Sequence, residues 1–323
     1  MTAQGADLLA DRRRMRRKLT LWRGLAVLGG IAAVVAIGLR LGGTENLPGL
    51  DRHIARVTIS GIITGDKRTL EMIERIGASN ASAAIIRIDS PGGTVSGSEA
   101  LYDALRKLSA RKPTVAVVDG LAASGGYVAA IAADRIVARQ TAIVGSIGVL
   151  MQYPNVAKLL DTWGVKMESI KSSPLKAAPS GFEPTSPEAR AAIQRVIDDN
   201  YDWFRTLVKT RRGMSDAELA AVSDGRVHTG RQGVPLKLVD SIGTESDALD
   251  WLAAEKKIDR KTPMRDWKPK SEADPLGLWT VSAKLAKASG LAGLGALLDQ
   301  AAGWPTSLRL DAPLALWQPP LDN

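Results

Sequence analysis

The stretch "AVVDGLAASGGYVAAIAADRIVA" at residues 116–138 contains the pattern that decides the fold. A valine-rich segment leads into Ser124, which is followed by two glycines and a helix-like run of small residues. A strand, a sharp turn and a helix in succession form the repeating unit of α/β folds. A turn of this kind is also how a nucleophilic serine is often presented.

A serine hydroxyl is a weak nucleophile until a base takes its proton, and histidine is the usual base. The chain has only two histidines, His53 and His228, and the sequence shows no partner for either of them. We interpret both as structural residues. If Ser124 is a nucleophile, its base is therefore another type of side chain.

Predicted strands and helices alternate in the flanking sequence, which favours an α/β layered domain. Short apolar runs predict strands at 54–63, 83–90 and 114–120, and 135–151 is strand-rich. Apolar residues at helical spacing predict helices at 67–79, 96–111, 186–212 and 245–257. Residues 224–244 are expected to form a loop with a short strand.

Composition excludes several classes of protein. The 323 residues contain no cysteine, so disulfides, cysteine-ligated metals and thiol catalysis are ruled out. Of the net charge of +9, +5 lies in residues 1–50, and the aromatic content is only 4%. A nucleic-acid partner is therefore not expected, because the rest of the chain has neither a basic stripe nor a base-stacking platform.

Residues 19–41 are predicted to be a transmembrane signal anchor. Six basic residues at 12–18 precede an apolar run, so residues 1–18 should stay in the cytoplasm and the rest should be translocated. A cleaved signal peptide and a buried core helix are the alternatives. We expect residues 42–50 to be a linker, 51–264 a catalytic domain and 265–323 an extension for oligomerisation or contact with the membrane surface.

Two glycine pairs lie near predicted strand ends, one in "DSPGGTV" (89–95) and one in "ASGG" (123–126). Backbone N–H groups without neighbouring side chains can approach a ligand closely, and two such groups aimed at one point form an oxyanion hole. The chain has no phosphate-binding loop, no dinucleotide-binding fingerprint and no H-E-x-x-H motif. We therefore predict no cofactor and no metal site.

The motifs "IDSPGGTV", "GLAASGGYVAAIAADRIVA", "AIVGSIGVLM", "ESIKSSPLKAAPS" and "DGRVHTGRQGVPLKLVDSIG" occur in this order. As a set, they resemble the S49 family of membrane-anchored signal peptide peptidases, in its short single-copy form. The resemblance covers roughly residues 54–257.

The resemblance implies a Ser-Lys dyad in which Ser124 is the nucleophile and Lys176, the lysine of "SPLK", is the base. Burial of a lysine disfavours its charged form, so a lysine can act as a base. The backbone N–H groups of Gly93 and Gly125 are implied as the oxyanion hole, and the Ser146 hydroxyl as the group that holds the lysine amine. Lys171 is the rival base, because periodicity does not choose between the two lysines.

The resemblance further implies the β-β-α spiral fold shared with Clp protease and crotonase enzymes. It implies a homo-oligomeric ring or dome on the bacterial inner membrane, with the catalytic domain in the periplasm. The expected substrates are remnant signal peptides and other apolar extended peptides. The alternatives are a crotonase-type acyl-CoA enzyme and a catalytically inactive membrane scaffold.

The tail "RLDAPLALWQPPLDN" (309–323) is too rich in proline for a helix and too apolar for a free solvated segment. It is expected either to dock in or beside the substrate groove or to pack against an adjacent subunit.

Overall fold

The computed structural model describes Lys18, residues 22–26 and 28–30, residues 52–269, and the backbone of residues 314–316. Residues 22–26 and 28–30 are helical and exposed, and the rest of the predicted anchor lies outside the described residues. So do the linker at 42–50 and nearly all of residues 1–18 and 270–323. Within the described residues, no helix is long and apolar enough to cross a bilayer.

Nine strands appear in the described part of the chain. They are β1 (His53–Ile63), β2 (Ala81–Thr94), β3 (Thr114–Ala123), β4 (Arg135–Ala138), β5 (Ile143–Gly145), β6 (Val227–Thr229), β7 (Ser241–Ile242), β8 (Met264–Trp267) and β9 (Leu314–Leu316).

The helices of residues 52–269 lie between these strands. They are α1 (Lys67–Ala78), α2 (Val95–Ser109), α3 (Gly125–Ile131), α4 (Ala157–Thr162), α5 (Pro187–Arg212), α6 (Asp216–Val222), α7 (Gly230–Gly233) and α8 (Glu245–Lys256).

All nine described strands join one mixed sheet, whose main path runs β6-β5-β3-β2-β1-β8. β4 adds to β3 and to β7, and β9 adds to β2. The pairings β5–β6 and β2–β9 are antiparallel, and the other pairings are parallel. The α/β fold class predicted from the sequence is confirmed.

The apolar runs of the central strands are buried because helices cover both faces of the sheet. Successive side chains of a strand point to opposite faces. Ile86 and Val118 pack in a large core with residues of α1, α2, α3 and α5. Ile85 and Val117 pack on the other face, in a smaller core with residues of α8. This two-sided burial explains why these strands read as continuous apolar runs rather than alternating ones.

Local sequence fixes the ends of the longest helix. The Ser186 side chain accepts a hydrogen bond from the N–H of Ala189, and Pro187 occupies the first turn. At the other end, Gly213 adopts a left-handed conformation with φ 58° and stops the helix. The observed bounds of α5 therefore agree closely with the predicted helix at 186–212.

Two strands depart from the sequence prediction. The "SPGG" motif was expected to follow its strand, but it lies inside β2, because Gly92 and Gly93 pair with the end of β1. β8 crosses the boundary that we predicted at residue 264, since Met264–Trp267 pairs with Ile54–Val57 of β1.

Candidate active site

Ser124 lies on the sharp turn between β3 and α3, where the sequence predicts it. Its backbone has φ 53° and ψ −119°, a conformation that side-chain-bearing residues rarely adopt. The turn is held by the Ser124 N–H, which donates to the carbonyl of Gly145 over 2.8 Å. Strain that the surroundings hold in place, on a strand-to-helix turn, is typical of a nucleophile. The serine is only 1% exposed.

Ser146 follows the neighbouring strand at the same level as Ser124. Ala123 of β3 is the parallel partner of Gly145 of β5, and each serine comes directly after one of these two residues. Paired strands lie about 4.8 Å apart, so the backbones of the two serines are adjacent. Ser146 also has a positive φ, 51°, and its N–H donates to the Arg226 carbonyl over 2.9 Å. The structure thus places the backbones of the predicted nucleophile and of the residue with the predicted positioning hydroxyl side by side.

The end of β2 lies against this turn. Ser90 of β2 is the strand partner of Ala122, two residues before Ser124. A Cβ on Gly126 would lie 2.5 Å from the Ser90 carbonyl oxygen, so this close approach requires glycine.

Gly93, three residues beyond Ser90, is equally constrained. A Cβ there would lie 1.8 Å from the carbonyl oxygen of Ile63 on β1, so only glycine fits. Gly125 is the first residue of α3, and the first N–H groups of a helix have no partner within it. Both predicted oxyanion donors therefore lie on the two elements that meet at Ser124.

The structure does not join Lys176 to this pair. Lys176 is exposed, whereas Ser124 and Ser146 are buried. In the described part of the chain, no hydrogen bond connects its amine to either serine.

The rival lysine has a partner. Lys171 forms an ion pair with Glu183 over 2.5 Å, and this hydrogen bond is the main reason why the pKa of Glu183 lies below its usual range. Of the two candidates, Lys176 is the one without a carboxylate partner among the described residues.

His228 lies closer to the site than the sequence suggested. It sits on β6 opposite Val144, and a Cβ on Gly145 would lie 3.3 Å from its ring. Its Nε2 is buried without a hydrogen-bond partner, and burial lowers the pKa of the ring. The other histidine, His53, accepts a hydrogen bond from the indole of Trp267.

Sequence reasoning missed two arginines that support the nucleophile helix. Arg211 of α5 donates to the carbonyls of Ile131 and Ala133, and Arg106 of α2 donates to the carbonyl of Ala132. These are the carbonyls at the C-terminal end of α3. No sequence motif marks the two arginines, because their partners are backbone atoms of a distant element.

Comparison with known proteins identifies relatives over much of the chain. Residues 106–259 match the model of peptidase family S49. A provisionally named protease of Synechocystis is 37% identical over 204 residues, which cover 62% of this chain and 74% of that protein. A provisionally named signal peptide peptidase SppA of Enterococcus faecium is 30% identical over 223 residues, covering 64% of this chain and 65% of that protein.

Among solved structures, the 1510-N membrane-bound stomatin-specific protease aligns with a TM-score of 0.45 and 15% identity. The alignment covers 68% of this chain and all of that one.

The sequence matches define the chain as a protease. It belongs to peptidase family S49.

Proposed function

We propose that the chain is a serine endopeptidase in which Ser124 attacks the substrate and Lys176 is the base. The observation that carries the proposal is the strained Ser124 turn, which lies beside Ser146 and against the glycine-rich end of β2. Ser124 is the only serine of the described chain with a positive φ at a strand-to-helix turn.

The proposed reaction follows the usual logic of acyl transfer. Neutral Lys176 takes the proton of the Ser124 hydroxyl as the oxygen bonds to the scissile carbonyl carbon. The N–H groups of Gly93 and Gly125 stabilise the oxyanion, and the Ser146 hydroxyl orients the amine. The C–N bond then breaks, Lys176 gives its proton to the leaving amine, and water hydrolyses the acyl-enzyme.

To act as the base, the Lys176 amine must be shielded from water. A lysine amine accepts a proton only when it is neutral, and exclusion from water favours that form. Lys176 lies in residues 150–182, here called the exposed segment, whose large apolar side chains are unusually exposed. They are Leu150, Leu159, Trp163, Val165, Met167, Ile170, Leu175 and Phe182. Exposed apolar surface of this kind marks interaction sites, and we assign this one to a second copy of the chain in a homo-oligomeric ring.

We further propose that residues 19–41 anchor the protease in the bacterial inner membrane, with the catalytic domain outside the cytoplasm. Remnant signal peptides and other apolar extended peptides are the proposed substrates. The basic and apolar patterning of residues 12–41 supports the anchor, and the signal peptide peptidase name of the Enterococcus relative supports the substrate class. The β-β-α spiral of Clp protease and crotonase is the proposed finer description of the fold.

Labelling with a fluorophosphonate probe tests the serine mechanism. The probe should modify the full-length protein and should not modify the Ser124→Ala variant, while Ser146→Ala should still be labelled. Equal labelling of Ser124→Ala would overturn the assignment. Absence of labelling combined with absence of peptide hydrolysis would favour the inactive scaffold.

A reporter fusion tests the anchor. An enzyme that is active only outside the cytoplasm should be active when fused after residue 269, beyond the end of β8. An inactive fusion there, with an active cytoplasmic reporter, would place the catalytic domain inside the cell. That result would reopen the acyl-CoA alternative, which membership of a peptidase family argues against.

A further inference from the structure

The proposed base lies on a part of the chain that is not packed into either core. Among residues 148–188, all of which the structure describes, Gly181 is the only buried residue, and none belongs to the two hydrophobic cores. Lys176 and its neighbours at 172–177 are exposed. The position of the Lys176 amine therefore depends on contacts within this part of the chain.

Those contacts lie where the chain leaves and re-enters this region. Residues 157–180, here called the arm, are closed into a loop where residues 153–156 meet residues 181–185, and these two stretches are here called the neck. The N–H of Val156 donates to the carbonyl of Gly181 over 2.8 Å. The arm carries the proposed base, so the geometry of the neck determines where that amine can reach.

Side chains also hold the two halves of the neck together. The hydroxyls of Tyr153 and Thr185 hydrogen-bond to each other over 2.8 Å. The side-chain amide of Asn155 donates to the carbonyl of Glu183 over 3.2 Å. The carboxylate of Glu183 also pairs with Lys171, but it is half exposed, and ion pairs of this kind contribute little. The neck therefore depends mainly on its other hydrogen bonds and on its packing.

Gly181 is the point of closest approach in the neck. Its φ of 75° favours glycine, and a Cβ there would lie 2.4 Å from the carbonyl oxygen of Pro154 on the other half of the neck. Gly164, in the arm, has a similar φ of 70°, but a Cβ there would have nothing within 4 Å. The two glycines thus differ in the close contact and not in the sign of φ, so that only a side chain at Gly181 would push the neck apart.

Both ends of the neck lead directly to the candidate site. Before the neck, the chain comes from Ser146 at the end of β5, beside the Ser124 turn. After the neck, Ser186 caps α5, whose Arg211 binds two carbonyls at the end of α3. The neck is therefore attached to the same elements that hold the nucleophile.

We propose that the neck positions the base: its contacts hold the arm where the Lys176 amine can take the proton of the Ser124 hydroxyl. Tyr153, Thr185 and Gly181 are positioning residues that act through the base. This inference rests on the proposed serine protease function. Because a misplacement of about 1 Å can cost about 10²-fold in rate, a distorted neck should lower kcat and leave substrate binding intact.

The kinetics of two glycine variants test the positioning. Gly181→Ala should lower kcat for an apolar peptide about 10²-fold with KM unchanged, because the new Cβ separates the two halves of the neck. Gly164→Ala, the matched control, should stay within a few-fold of the unmodified chain in both constants. Equal kcat in the two variants, or a loss in Gly181→Ala that comes from KM alone, would overturn the inference.

A milder pair of variants removes one hydrogen bond from the neck without adding bulk. Tyr153→Phe and Thr185→Val should each lower kcat several-fold, and the double variant should be no worse than either one, because both hydroxyls belong to the same bond. Thr162→Val is the control, since that hydroxyl bonds to the Lys158 carbonyl within α4, and it should leave kcat unchanged. Fully additive losses, or a kcat equal to that of the control, would contradict the proposal.

Spin-label distances test the neck without any need for activity. The chain has no cysteine, so labels attach only at introduced residues. Labels at Lys176→Cys and at Arg195→Cys, an exposed position on α5, report the distance within one chain when labelled subunits are mixed with an excess of unlabelled ones. Adding Gly181→Ala should shift or broaden this distance, whereas adding Gly164→Ala should not. An unchanged distance with Gly181→Ala would refute the inference.

The two proposals can fail separately. Absence of hydrolysis by the unmodified chain, or full activity of Lys176→Ala, would count against the proposed function. The spin-label distances would still decide whether the neck holds the arm.

Discussion

At the scale of single residues, the two lysines proposed as candidate bases have different surroundings. Lys171 is held by Glu183, whereas Lys176 has no such partner among the described residues. Lys176→Ala should lower kcat by at least ~10³-fold, as the loss of one member of a catalytic unit does. Lys171→Ala, the matched control, should stay within a few-fold of the unmodified chain.

The same pair of variants has a pH signature. A lysine base must be neutral, so activity should rise towards alkaline pH in the unmodified chain and in Lys171→Ala alike. Steady-state kinetics on a fluorogenic peptide would measure both effects. If Lys171→Ala were the inactive variant, the roles of the two lysines would have to be exchanged.

His228 should make the folded protein sensitive to acid. Burial lowers its pKa below the ordinary value of 6.5, so below that pH the unfolded chain binds more protons than the folded one. The free energy of unfolding should therefore fall as the pH drops from 6.5 towards the lowered pKa of the folded state. His228→Gln should flatten this part of the stability curve, as measured by urea unfolding at several pH values.

The pH dependence of the activity of His228→Gln tests whether His228 takes part in catalysis. Because the proposed mechanism uses no histidine, its pH–rate profile should match that of the unmodified chain. A stability curve identical to that of the unmodified chain would contradict the structural role, and a shifted pH–rate profile would implicate His228 in catalysis.

At the scale of elements, the nucleophile helix depends on its neighbours. α3 has only seven residues, too few to be stable alone, and all seven are buried. Arg211 binds two carbonyls at its C-terminal end. Arg211→Leu should lower the free energy of unfolding by about 2 to 4 kcal/mol, because it leaves partly buried carbonyls without a charged donor.

The exposed Arg195 on the same helix, α5, offers a matched control for that change. Arg195→Leu should alter stability by no more than about 0.5 kcal/mol. Urea unfolding measures both variants. A loss of similar size in the two variants would mean that the contact with α3 contributes little.

The bounds of individual helices could be predicted from the sequence better than the pairing of the strands. The helices at 67–79, 96–111, 186–212 and 245–257 are present within one or two residues at each end, because caps and periodicity are local signals. The glycine motif inside β2 was placed after the strand, because proline and paired glycines normally indicate a turn. Only the pairing with β1 and β9 makes that motif extended.

The candidate site shows the same difference between local features, which the sequence indicates, and contacts between distant elements, which it does not. The sharp turn at Ser124 could be predicted from "ASGG", but its adjacency to Ser146 depends on the parallel register of β3 and β5. The role of the arginines that bind the carbonyls of α3 could not be predicted, because backbone acceptors leave no pattern in a sequence.

At the scale of the whole molecule, the exposed segment at 150–182 should hold the proposed homo-oligomer together. Trp163 is 71% exposed in the single chain, and Ile170 is fully exposed. Trp163→Asp and Ile170→Asp should each shift the detergent-solubilised particle to a smaller mass, because a charge buried in an apolar interface is costly. Light scattering coupled to gel filtration measures that mass.

Val196 on α5 provides the control, since it is also apolar and exposed but lies outside the segment. Val196→Asp should leave the mass unchanged. If all three variants kept the mass of the unmodified particle, the exposed segment would not be the subunit interface.

The pairing of β1 with β8 has a consequence for folding of the chain during its synthesis. Arg56 on β1 binds Asp266 on β8, 210 residues later in the chain. At ribosomal rates of about 5–20 residues per second, β8 is synthesised roughly 10 to 40 seconds after β1. During that interval the nascent polypeptide exposes an unpaired strand edge to every other chain in its surroundings. Synthesis of β8 is thus a late step in folding, and a polypeptide truncated before residue 264 would be prone to aggregation.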